Sequence, residues 1–120
     1  MTYMTKDMEE LGRLEEDFEA TALDKRFSNK NKFNLLSGIV DGMVDVVHRS
    51  HRTQKYDVYD LAEYVEGYIT RGDLGSALAE TAFEGDDAEQ YATRLNAYMQ
   101  YRNHQVTLCA RPLESFRLDP

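Results

Sequence analysis

The chain has 120 residues, 42% hydrophobic and 30% charged, with a formal net charge of −8. This length and balance fit one globular domain with its own core and exclude disorder as its organising state. The negative charge opposes non-specific approach to DNA, RNA or anionic lipid and favours basic partners, so direct nucleic-acid binding is not expected.

Helical periodicity and end signals predict an all-α fold, a compact bundle of four to five helices with a short extended C-terminal tail, in a single domain spanning 1–120. The first helix has Thr5 as N-cap and acids in its opening turn. Met4, Met8, Leu11, Phe18 and Ala22 share one face, with Leu14 beside it, and the helix is expected to end near Phe27.

The second helix, about Asn31 to His51, carries Phe33, Leu36, Val40, Met43 and Val47 at alternating spacings of three and four, a heptad-like seam. A second stripe, Leu35, Ile39, Gly42 and Val46, predicts contacts on two sides and a central position. Gly38 and Gly42 each cost about 1 kcal/mol of helix stability relative to Ala, so a close helix approach is expected at both.

Asp57 is read as the cap of a third helix, Val58 to Thr70, burying Val58, Leu61, Ala62, Val65, Tyr68 and Ile69, with Gly72 as its terminator. Asp73 then caps a fourth, Leu74 to Glu84, with Leu74, Ala77, Leu78, Thr81 and Ala82 inward and Gly85 as the stop. A fifth starts at Asp86 or Asp87 and runs to about Arg102, with Ala88, Tyr91, Leu95, Tyr98 and Met99 on one side. Over 104–120, QVTLC alternates like a short strand and Pro112 blocks helix continuation. Leu113, Phe116 and Leu118 are apolar enough for this tail to dock on the bundle or on a second copy in a homodimer.

Charge is segregated along the chain. Residues 1–24 carry a net −6, 25–55 a net +5, 57–91 a net −9 and 92–120 a net +2. The single cysteine, Cys109, excludes an intrachain disulfide, and the opening MTYMTKDMEELG lacks the basic-then-apolar layout of a secretory signal; a cytoplasmic location is expected. The most apolar stretch, Phe33 to Val47, contains Asn34, Asp41, Asp45 and two glycines and falls short of the roughly 20 residues of a membrane span, so no membrane partner is expected.

Motifs for catalysis are missing. There is no G-x-S-x-G, Gly-rich phosphate loop, HExxH or paired CxxC, no cofactor is implied, and Cys109 sits in an apolar context that suits a structural thiol. Asp41, Asp45 and His48 follow one helical face and offer the residue types of a metal-binding or hydrolytic bundle. Bundle metal sites draw such ligands from several helices, however, and here the Asp-x-x-His pair occurs once, opposite the apolar seams. The run from His48 to Lys55 is the alternative for a DNA-binding regulator, against which stands its reading as a cationic helix end complementing the helix dipole. The short third-to-fourth helix junction resembles a helix-turn-helix, but Leu74 to Glu84 has no Lys or Arg for phosphates or base edges.

The reading that remains is a non-enzymatic binding protein that engages a basic protein surface. The candidate contact residues are Glu9, Glu15, Glu16 and Glu19 in the first acidic block, and Asp57, Tyr59, Asp60, Glu63, Tyr64, Glu66, Asp86 and Asp87 in the second. Tyrosine buries large area at small entropic cost, which suits an interface, and carboxylates on a helix can imitate phosphates along a strand. In size, acidity and lack of motifs the chain resembles the small inhibitors that phages and plasmids carry against restriction or CRISPR systems. That profile implies an inhibitor of a nucleic-acid-binding defence complex, acting by DNA or RNA mimicry or by steric block, and transfers no residue role.

Overall fold

The computed structural model of the protein describes residues 6–52, 58–70 and 74–110, with side chains described over 6–52, 60–69 and 77–107. Among the described residues five helices follow one another: α1 (Lys6–Leu23), α2 (Asn29–Arg52), α3 (Val58–Thr70), α4 (Leu74–Thr81) and α5 (Ala88–Ala110). The architecture is an all-α bundle. Thr5, Asp57, Gly72, Asp73 and the tail beyond 110 lie outside the described residues, as does the side chain of Cys109.

Helix ends follow local chemistry. α1 stops at Leu23, short of Phe27, because the Asp24 carboxylate turns the chain: it accepts from the Arg26 backbone N–H at 2.9 Å and from the Arg26 guanidinium at 2.7–3.2 Å. Ser28 then caps α2, its hydroxyl accepting from the Asn31 N–H at 3.2 Å. α4 ends at Thr81 rather than Glu84, since the following residues are drawn to Asn29. The Asn29 amide donates to the Glu84 carbonyl at 2.6 Å and to the Asp87 carboxylate at 2.7 Å, while its oxygen accepts from the Glu84 N–H at 3.2 Å. Gly85 follows with φ of +91°, a backbone conformation that a β-carbon disfavours.

The extended reading of 104–110 is corrected: α5 continues to Ala110. Val106 lies two helical turns beyond Met99, and both are fully buried, so burial on one helical face overrides the β preference of Val106 and Thr107. Thr107 accommodates the helix by donating its hydroxyl to the Asn103 carbonyl at 3.0 Å.

Side chains from all five helices form one core: Leu11, Phe18, Leu36, Val40, Met43, Val47, Leu61, Val65, Ile69, Ala79, Leu95, Met99 and Val106 among them. α2 packs on α1, α3 and α5, and α5 packs on α2, α3 and α4, so α2 shares the central position with α5. Leu35 is 43% exposed and leaves the second stripe, whereas Val44, assigned to neither stripe, is fully buried. Among the described side chains of α4 the inward one is Ala79, followed just past the helix end by Ala82 and Phe83; Ala77 and Thr81 are exposed, Leu78 is partly buried, and the side chain of Leu74 lies outside the described residues. Gly42 does receive a close neighbour, with Leu14 Cδ2 3.2 Å from where a β-carbon would sit. Gly38 faces open space, so the expected approach there is also corrected.

Among the described residues three polar side chains are buried: Asp7, Lys32 and Ser50. Lys32 sits where two helices finish. Its ammonium donates to the Ala22 carbonyl at 3.1 Å and the Ala82 carbonyl at 2.7 Å, placing a positive charge against the negative ends of α1 and α4. Arg49, near the end of α2, joins Asp7 at 3.1 Å and Glu10 at 3.0 Å in the opening turns of α1. Contacts at opposite ends therefore align α1 and α2 antiparallel.

Candidate functional site

α1 and α3 touch through long side chains of their acidic sequences. The Phe18 ring meets the Tyr68 ring edge-on, with centroids 5.7 Å apart at 85°, and about one turn earlier on each helix the Tyr64 hydroxyl donates to the Glu15 carboxylate. The pairing advances in the same direction along both helices. Glu15 and Glu19, one turn apart on α1, therefore face Tyr64 and Tyr68, one turn apart on α3. Burial first, and then the bond to Glu15, push the Tyr64 hydroxyl up to about 12; burial, with the charges of Glu15 and Glu19 adding, raises Tyr68. Both phenols are neutral at physiological pH, and the negative charge of the face rests on its carboxylates.

The fold sorts the acids into two groups. Asp7 and Glu10 are held by Arg49, Asp24 by Arg26, and Glu84 by Lys25 at 3.6 Å; Asp87 accepts from Asn29. In contrast, among the described residues no Lys, Arg or His forms an ion pair with Glu9, Glu15, Glu16, Asp17, Glu19, Asp60, Glu63 or Asp86. Of these, Glu9, Glu16, Asp17, Asp60, Glu63 and Asp86 are exposed, while Glu15 and Glu19 are half-buried.

Measured against the expected contact set, Glu15, Glu19 and Tyr64 come together at the α1–α3 seam, with Glu16, Asp60 and Glu63 beside them on the same two helices. Glu9 lies in the first turn of α1. Asp86 and Asp87 lie elsewhere, in the turn before α5, and Asp87 serves the Asn29 clamp. Glu66 is half-buried and has an interaction partner of its own. Asp57 and the side chain of Tyr59 lie outside the described residues.

Periodicity places Tyr68 in the core, and the fold also sets it opposite Glu15 and Glu19. The sequence signal for that position is its placement one turn from Tyr64.

The other two sequence candidates are engaged differently. Asp41 accepts from the Tyr98 hydroxyl and lies 3.2 Å from Arg102 Nε, tying α2 to α5. Among the described residues no three His, Cys, Asp or Glu side chains gather closely enough to hold a metal ion. Within the basic run, Arg49 is occupied by Asp7 and Glu10 and Ser50 is buried; His51 and Arg52 are exposed in the last turn of α2. No described helix is long and apolar enough to cross a membrane. Compared with protein-family models, curated proteins and solved structures, the chain matches none.

Proposed function

We propose that the protein is a non-enzymatic binding protein whose α1–α3 face engages a basic surface on a protein partner. The observation that carries this reading is the α1–α3 contact itself: among the described residues Glu15, Glu16, Glu19, Asp60 and Glu63 on these two helices have no ion pair, although the bundle supplies cations to Asp7, Glu10, Asp24 and Glu84. Like charges three or four residues apart on a helix, such as Glu15 with Glu19 and Glu16 with Glu19, destabilise by about 0.2–0.5 kcal/mol per pair. A surface that concentrates such pairs gives up stability for something other than folding.

The finer reading is an inhibitor of phage or plasmid type that blocks a nucleic-acid-binding defence complex. Linear charge density supports it. Between Glu9 and Glu19 the helix rises about 15 Å, and with Glu10 neutralised by Arg49 and Arg13 counted, the net charge of −4 amounts to one per roughly 4 Å. A nucleic-acid strand carries one per about 3.4 Å.

The test is capture on the immobilised chain against a Glu16→Lys/Glu63→Lys variant. The variant should fold with an unchanged or higher Tm and hold the partner at least about tenfold more weakly, as loss of complementary charge at an interface predicts. Equal capture would reject this face. Displacement of the partner by a duplex or single-stranded oligonucleotide would favour mimicry, and a ternary complex would favour steric block away from the nucleic-acid channel.

A further inference from the structure

The Tyr68 side chain is only 5% exposed, and among the described residues its hydroxyl has no hydrogen-bond partner. An orphaned buried hydroxyl is unusual, because desolvation without a new bond is unfavourable and native folds almost always avoid it. Its surroundings are specific. Glu15 and Glu19 from α1 bear on it electrostatically, Tyr64 lies one turn back on α3, and Tyr64 is 42% exposed. The site thus holds two carboxylates without a cation, one phenol already bonded to Glu15, and one phenol without a bond. What it lacks is a multivalent donor.

We infer that Glu15, Glu19, Tyr64 and Tyr68 form a notch for one arginine side chain of the basic partner. This assignment rests on the acidic-face reading and names the group that the face captures. A guanidinium presents five N–H donors in a fixed planar fork, enough to serve both carboxylates and the Tyr68 oxygen together, and its plane can lie on the exposed Tyr64 ring. The Tyr68 hydroxyl keeps its proton, which it can offer to a carboxylate as a hydrogen bond. Lysine is the poorer fit: its three donors radiate from a single strongly hydrated point, and it lacks a plane to stack. Entry requires the Tyr64 hydroxyl to leave Glu15, and Tyr64 is an exposed side chain of the kind that changes rotamer on the ps–ns scale.

The test uses the full chain and two probes, the peptides acetyl-(Arg-Gly)4-amide and acetyl-(Lys-Gly)4-amide, followed by NMR of the tyrosine ring signals and by calorimetry at low salt. The arginine peptide should bind at least about fivefold more tightly than the lysine peptide and should move the Tyr68 ring signals. Tyr68→Phe removes one bond to a charged group and should weaken the arginine peptide by about tenfold while leaving the lysine peptide unchanged. The variant loses no described hydrogen bond, so it should keep its fold. Glu19→Gln provides a second variant, expected to weaken the arginine peptide more than the lysine peptide. Equal affinities for the two peptides, insensitive to Tyr68→Phe, would overturn the notch and leave the acidic face standing. Failure of both peptides to bind would overturn the notch and the acidic face together.

Discussion

Lys32, Asp7 and Ser50 are, among the described residues, the polar side chains on which the core closes, and each continues an apolar seam. Lys32 precedes Leu36 and Val40 by whole turns, Asp7 precedes Leu11, and Ser50 follows Met43 and Val47. Periodicity marked these positions as inward, but polarity masked them, because a sequence does not show which backbone carbonyl or arginine will arrive to satisfy a buried charge. Replacing Lys32 by Met keeps the stem and strands the Ala22 and Ala82 carbonyls. Stability should fall by roughly 2–4 kcal/mol, seen as a lower urea midpoint at unchanged slope. At the acidic seam, Tyr64 remains protonated up to about 12 when folded, against an ordinary value of 10. Above pH 10 the folded chain retains a proton that the unfolded chain releases, so stability present below pH 10 is lost as pH rises towards 12. Glu15→Gln should move the Tyr64 absorbance titration down, towards the ordinary value.

Among the elements, α2 and α3 were the most legible, because their apolar spacing is regular and their ends carry turn chemistry. α3 matches its expected bounds, Val58 to Thr70. The ends of α1, α4 and α5 were less legible for identifiable reasons. Asp24 was free to cap or to turn the chain, Asn29 reaches across 55 residues to Glu84, and Val106 reads as a strand residue until the core that buries it is known. The two α2 glycines, alike in sequence, separate in the fold. Gly38→Ala places its methyl in open space and should stabilise by about 0.5–1 kcal/mol through helix propensity. At Gly42 the same change pushes on the end of the flexible Leu14 side chain, and the net gain should be smaller. Thermal unfolding of the two variants checks the ordering.

At the scale of the whole molecule, the four charge blocks read along the chain become an arrangement in space. The positive block between the acidic ones is partly consumed inside the bundle, with Lys32 closing two helix ends and Arg49 binding Asp7 and Glu10 at the start of α1, while among the described residues Glu15, Glu16, Glu19, Asp60 and Glu63 have no ion pair. The block polarity was legible in the sequence; its division into neutralised and free acids was not, since that depends on which helices become neighbours. One consequence distinguishes a binding face from a merely acidic surface. Raising NaCl from about 50 to 500 mM should increase the Tm of the isolated protein by roughly 2–4 °C by screening a few like-charge pairs, while weakening capture of the partner. If both quantities moved in the same direction, the cluster would not be the surface that the partner covers.

The placement of Lys32 also makes it a chemical clock for the fold. Amine acylation needs an accessible nitrogen, and Lys25 and Lys30 are exposed while the Lys32 ammonium is enclosed between two carbonyls. Under brief treatment with an amine-reactive ester, Lys25 and Lys30 should label at once and Lys32 only as α1 and α4 part from α2. Its labelling rate, read by peptide mass spectrometry, should therefore track the slowest-exchanging amides of the bundle and slow further when a partner binds.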